Sequence, residues 1–334
     1  MTSGLRRLVV FTNAYPYPDL PYYGTFVDTH VRHWRGSGVE VDVFFINGRR
    51  SKWNYLGGVL AWALAMARRG RQYDAIVVHH SYCCLIAACL RWPGIPIVYQ
   101  VHEGTIHFSR VNRWMVRLAI RAADRVVYVS SNLPRTLGLD PGKETILPSG
   151  IDLERFQPMP RDEARRVLGW ALDEEVVLYA AKERPAYERF DLVLEAVRRL
   201  ADIGRHPRLL RLEGVERERV PLYLNAADVL VLASRGEGSP KIVMEALACE
   251  RPVVSLRVGS VPERLEGVKS GFLAEETPED LTRQLLRALA LKGRGAGRER
   301  VLDLGVERTS SAFLEICSDV IRRKRSLRIV EAHK

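Results

Sequence analysis

Glu237 and Glu245 stand eight residues apart around an expected helix start, and acids so placed could act on one ligand together. Upstream, the apolar run Val229 to Ser234 reads as a strand bounded by a polar turn. Ser239 is the expected N-cap and Pro240 the expected first helical residue, because proline lacks the N–H that would be orphaned there. The helix should run to about Cys249 and stop before Arg251-Pro252. Helical side chains tilt toward the N-terminus, so Glu245 can look toward the space beside Glu237. A helix opening on Gly238-Ser239-Pro240-Lys241 also points free N–H groups and the positive end of its dipole at that space, which suits phosphate. Exposed helix glutamates and such helix starts are both common, so spacing alone leaves a plain structural reading open.

These residues need a rigid frame, and the rest of the chain reads as one. Strands are expected at Leu5 to Asn13, Val39 to Ile46, Ala75 to His80, Ile95 to His102 and Arg125 to Ser131, with helices between them. A second alternation opens with Val176 to Ala181 and a helix to about Ala201. Such alternation argues an α/β chain of doubly wound parallel sheets, with sites at the strand carboxyl ends. The turn-rich stretch Ile146 to Pro158 reads as the crossing between halves. The expected division is 1–148, 149–305, and a closing helix with a basic tail, 306–334.

Four further features bear on chemistry. Gly24 precedes Thr25 and Asp28, which read as a capping box, and a glycine there offers a phosphate a close approach. His102 lies at a strand end, where a structural and a catalytic role are both open. The cluster His79-His80-Ser81-Tyr82-Cys83-Cys84 has adjacent pairs that make a poor tetrahedral set, so no metal site is expected. Arg110, Arg113, Arg117, Arg121 and Arg125 recur at steps of four and three, on one expected helix face. That stripe, with Trp53, Trp62, Trp92 and Trp114, belongs either to a solvated surface and core or to a face against anionic lipid.

The 334 residues suffice for two cores, and the formal charge of +11 suits nucleic acid, an anionic membrane or anionic substrates alike. Five cysteines in no paired spacing read as reduced thiols, and no leader layout or spanning run appears, so a cytoplasmic protein is expected. No Asp-x-Asp, Walker loop, GxGxxG, serine-triad or nucleic-acid text is present, and no nucleic-acid partner is expected.

The text Glu237-Gly238-Ser239-Pro240, Glu245-Ala246-Leu247-Ala248 and Pro252-Val253-Val254 resembles the Glu-x7-Glu region of retaining glycosyltransferases of the two-domain B fold, family 4 in particular. The resemblance covers roughly residues 5 to 320. It implies two Rossmann-like domains facing across a cleft, with the last helix crossing back onto the first, and a hexosyltransferase that moves a sugar from a nucleotide-diphosphate donor without a metal or other cofactor. Glu237 and His102 would face the donor sugar, Glu245 the ribose diol, and Gly24 with the amides from Gly238 to Lys241 the diphosphate. Lys182, Arg184 and Arg189 are the expected diphosphate cations. Glu188 and Met244 depart from the family's text and bear on donor binding. The implied acceptor is a glycan or a lipid-linked molecule of cell-surface polysaccharide synthesis, met by a protein peripheral to the inner membrane face. A sugar-nucleotide epimerase or a catalytically silent binding relative is the alternative on the same fold.

Overall fold

A computed structural model describes residues 5–20, 23–51, 53–102, 106, 109–180, 188–291 and 295–332. The chain divides into two compact units, residues 1–150 with 306–334 and residues 151–305.

In the first unit the strands are β1 (Arg7–Thr12), β2 (Glu40–Phe45), β3 (Ala75–Val78), β4 (Ile97–Val101), β5 (Arg125–Tyr128) and β6 (Thr145–Ile146). They form one parallel sheet in the order β2-β1-β3-β4-β5-β6. The helices are α1 (Thr25–Gly36), α2 (Asn54–Arg69), α3 (Ser81–Leu90), α4 (Arg110–Ala122) and α5 (Asn132–Thr136), joined by α12 (Val306–Ala332) from the chain's far end. Strand side chains alternate between faces, and both faces are covered. Ile76, Val78, Ile97 and Tyr99 pack against Trp62 and Met66 of α2, Cys83 and Cys84 of α3 and Val116 of α4. On the other face Val10, Val77 and Val98 pack against Val27, Val31 and Trp34 of α1 and Phe313, Leu314 and Cys317 of α12.

The second unit holds β7 (Val176–Tyr179), β8 (Arg208–Arg211), β9 (Val229–Leu232), β10 (Val253–Leu256) and β11 (Gly271–Ala274), in the parallel order β11-β10-β9-β7-β8. Its helices are α6 (Arg161–Leu168), α7 (Phe190–Ala201), α8 (Val220–Ala226), α9 (Lys241–Ala248), α10 (Val261–Leu265) and α11 (Pro278–Leu289). β7, β9 and β10 are fully buried runs of Val, Leu and Tyr with one serine, which is the pattern of central parallel strands. The amino ends of β7 and β9 are pinned by Asp228. Its carboxylate accepts from the Val176 amide and Arg165 Nη2, each at 2.7 Å, and from Arg161 Nη1 at 2.6 Å.

Several expected boundaries move. α9 begins at Lys241, with Pro240 in an extended conformation at the cap position and no side-chain cap, so Ser239 is not the N-cap. The Thr25–Asp28 capping box does not form: Gly24 stands at the cap of α1, and Asp28 accepts from the Tyr15 hydroxyl at 2.8 Å and pairs with Arg32 at 2.7 Å. Arg125 opens β5 and so leaves the α4 stripe, which ends at Arg121. Ser239 and Asp28 instead meet partners outside their own turns, Ser260 and Tyr15. No described helix is long and apolar enough to cross a membrane.

Candidate functional site

In the second unit, sheet order reverses around β7: β8 lies to one side and β9 to the other. Loops leaving such a switch point carry the ligands of doubly wound sheets. The loop after β9, residues 233–240, holds Glu237, only 9% exposed, and its Oε1 accepts from Ser234 Oγ at 3.1 Å. The loop is braced from beyond β10. Ser260 donates its amide to Gly238 O at 3.0 Å and its hydroxyl to Ser239 Oγ at 3.2 Å. Gly259 makes that approach possible. It has φ +51°, and a Cβ there would lie 2.3 Å from Gly238 O. Met244 is core and receives a long contact from Ser239 Oγ at 3.9 Å.

One turn into α9, Glu245 is 1% exposed, and burying a lone carboxylate would be costly. Arg217 supplies the charge. Its Nη1 donates to Glu245 Oε2 at 3.0 Å, its Nη2 donates to Oε1, and its guanidinium lies 4.8 Å over the Phe156 ring. A carboxylate has about four lone-pair sites, so this fork leaves Glu245 further capacity to accept. Lys241 completes the group. Burial pushes its pKa down to about 8, the Glu245 charge opposes that, and Arg217 adds to it. Two cations and two carboxylates thus sit at one strand-loop-helix junction.

Arg189, at the start of α7, is spent on carboxylates: its Nε donates to Asp191 at 3.1 Å and its Nη1 to Glu276. Glu276 also accepts from Arg235 Nε at 2.7 Å, so Arg189 is linked through it to the Glu237 loop. Lys182 and Arg184 lie outside the described residues. The backbone carbonyl of Glu188 accepts from the Tyr179 hydroxyl at 2.7 Å. Arg217, Arg235, Glu276 and Ser260 are the participants that sequence reasoning missed. Arg217 lies in the alternating run Glu216-Arg217-Glu218-Arg219, whose text reads as a solvated turn.

In the first unit the carboxyl ends of β1 and β3 flank the corresponding switch point. Gly24 takes φ +68°, where a Cβ would meet the Ala14 carbonyl carbon at 2.2 Å, so its glycine has a packing reason of its own. His102 Nε2 lies 3.3 Å from His79 Nδ1, and the Phe26 ring is 4.4 Å from His102. Burial pushes the His79 pKa down to about 3, so His79 is neutral at ordinary pH. His80 instead caps α3, its Nδ1 accepting from the Tyr82 amide at 3.3 Å, while Cys83 and Cys84 are core. Among the described residues no three of His, Cys, Asp and Glu group as a metal set.

The profile described as Glycosyltransferase Family 4 matches residues 9–155, and that described as Glycosyl transferases group 1 matches residues 194–290. The chain belongs to these glycosyltransferases. It is 30% identical over 233 residues to a D-inositol 3-phosphate glycosyltransferase of Geodermatophilus obscurus, covering 58% of this chain and 50% of the relative. The chain thus spans about half the length of that relative. Among solved structures, sucrose-phosphate synthase of Thermosynechococcus elongatus superposes with a TM-score of 0.73 at 17% identity, covering 98% of this chain and 100% of that one. HepE of Anabaena, solved in complex with UDP, superposes with a TM-score of 0.63 at 16% identity, covering 99% and 100%. At these identities the structures establish the shared two-domain B fold.

Proposed function

We propose that the chain is a retaining, metal-independent glycosyltransferase that takes a sugar from a nucleotide-diphosphate donor and passes it to a glycan or lipid-linked acceptor. One observation carries the reading. Glu237 and Glu245 lie buried at the switch point of the second unit, with Lys241 and Arg217 beside Glu245. In this reading the ribose diol donates to the lone pairs of Glu245 that Arg217 leaves open. The diphosphate lies over the amides of Gly238, Ser239 and Lys241, where the dipole of α9 and the Lys241 ammonium offset its charge. Glu237 meets the donor sugar.

The transfer needs no protein base. The bond from the sugar's anomeric carbon to the diphosphate oxygen breaks as the acceptor hydroxyl attacks on the same face. The acceptor's proton passes to the departing phosphate oxygen, leaving a nucleoside diphosphate and the new glycoside. Cations fixed at the diphosphate stabilise the leaving charge. That HepE was solved with UDP supports a nucleotide-sugar partner.

The test is a thermal-shift panel of UDP, GDP, ADP and TDP sugars, with and without EDTA, followed by transfer assays. One nucleotide should raise the transition with no effect of EDTA. Glu237→Gln should abolish transfer, by at least about a hundredfold, while leaving folding and donor shift in place. Full transfer in that variant would remove the role given to Glu237, and a shift that disappears with EDTA would overturn metal independence.

A further inference from the structure

Glu245 needs more than its place in the sheet to receive a ribose. It is 1% exposed, and a carboxylate with so little water keeps its charge only beside a cation. Two cations stand near it, and they divide the work. Lys241 lies one turn earlier on α9 and forms no ion pair with Glu245 among the described residues, so its ammonium is left for another anion. Arg217 instead spans both carboxylate oxygens, with Nη1 donating to Oε2 at 3.0 Å and Nη2 donating to Oε1.

Arg217 is itself held in place. It opens the short 3-10 turn Arg217–Arg219 before α8, and its guanidinium lies 4.8 Å over the ring of the fully buried Phe156. Arg298 ties the Phe156 loop to the far end of α9. Its Nη1 donates to Phe156 O at 2.7 Å and to Ala248 O at 2.6 Å, and its Nη2 donates to Leu153 O at 3.1 Å. Arg298, Phe156, Arg217 and Glu245 thus form a chain of contacts that starts and ends on α9. Burial opposes the Arg217 charge and Glu245 outweighs it, so the Arg217 pKa lies above its ordinary value.

We propose that Arg217 is the positioning residue of the ribose contact: it fixes the Glu245 carboxylate in one plane, so that the site selects nucleotides carrying both ribose hydroxyls. That role rests on Glu245 meeting the ribose, as proposed above. A planar guanidinium fork meets a carboxylate in two parallel bonds, and so sets its plane as well as its charge. Each Glu245 oxygen keeps a lone pair, and the two vicinal hydroxyls are donors at a spacing fixed by the sugar ring. A nucleotide lacking either hydroxyl leaves part of a buried carboxylate unsatisfied, and that loss is felt in full. An ammonium in place of the fork would supply charge and leave the carboxylate free to turn. A pair that served only to fasten the turn before α8 to α9 would, when broken, weaken every nucleotide alike.

UDP, GDP and ADP, with the 2′-deoxy and 3′-deoxy form of each, are titrated calorimetrically into the full chain. The nucleotide that binds should do so about tenfold more tightly than either of its deoxy forms. Arg217→Lys keeps a charge beside Glu245, so circular dichroism should match the parent. It should bring the ratio down to about twofold, while the deoxy affinities stay within about threefold of the parent. Glu245→Gln should fall to the same ratio, and Arg217→Lys/Glu245→Gln no further, because the two side chains act as one. A parental ratio that Arg217→Lys leaves intact would overturn the role of Arg217 and leave the donor site standing. Equal loss of ribose and deoxyribose forms in that variant would reduce the pair to a fastening. A parent that binds both forms equally would remove the ribose contact, and one that binds no nucleotide would remove the donor site, each taking the role of Arg217 with it.

Discussion

Lys241 is the side chain at the second unit's switch point whose charge is most easily moved. Burial holds its pKa near 8, against the pull of Glu245, because the ammonium has given up water. A diphosphate over the amino end of α9 would restore that charge. Bound donor should therefore raise the Lys241 pKa, and affinity should be flat below about pH 8 and weaken above it. The unliganded protein should respond in the opposite sense. The folded state binds fewer protons than the unfolded chain between pH 8 and the ordinary lysine value of 10.5, so Lys241 adds stability as pH rises through that window. Nucleotide titrations and urea denaturation at pH 7 to 10 should show both slopes in the parent. Lys241→Met should remove both and cost about tenfold in affinity at pH 7. An unchanged affinity slope in the variant would take Lys241 out of the diphosphate site. Residue types at this site were legible in the sequence, since Glu237, Glu245 and Lys241 stand in one stretch. Arg217 was not. Its partner lies 28 positions away, and nothing in its own turn marks it as half of a buried pair.

Elements were legible where burial decides them and less so where tertiary partners do. The central strands β7, β9 and β10 follow from their apolar runs. Helix starts do not follow as simply. Ser239 has the chemistry of an N-cap, but its hydroxyl accepts from Ser260, 21 positions on, and the helix opens two residues later at Lys241. Thr25 and Asp28 have capping-box spacing, but Asp28 is taken by Tyr15 and Arg32. The contact between the loop after β9 and the loop after β10 therefore sets the amide geometry offered to an anion, and Gly259 sets that contact. Gly259→Ala should cost about 2 kcal/mol, from a left-handed residue that now carries a Cβ and from displacement of Gly238 O. Because the strain lies beside Glu237, the donor thermal shift should shrink more than the loss of stability explains. Chemical denaturation with and without nucleotide measures both quantities, and an alanine variant with parental stability and affinity would show that the brace is dispensable.

At the scale of the whole molecule, the last helix is part of the first unit's core. The expected division set 306–334 apart as a helix returning to the first domain, and what it does there could not be read from text. Phe313 is fully buried, its ring stacked 5.3 Å from that of Trp34, whose indole N–H donates to Ser310 O at 3.1 Å. His30 Nδ1 and Ser310 Oγ lie 2.9 Å apart in the same contact. The sequence distance between these partners is nearly the whole chain, so periodicity could show an amphipathic helix but not its seat. Phe313→Ala should cost about 3–5 kcal/mol, because the cavity it opens lies between α1 and α12 with the sheet beneath. The loss falls on the first unit alone, since the second has its own apolar core with none of these residues. Hydrogen exchange should therefore rise along α1, β1 and α12 while β7, β9 and β10 keep their protection. The variant should still bind nucleotide at temperatures below its transition. Exchange rising equally in both units would show instead that they fold as one.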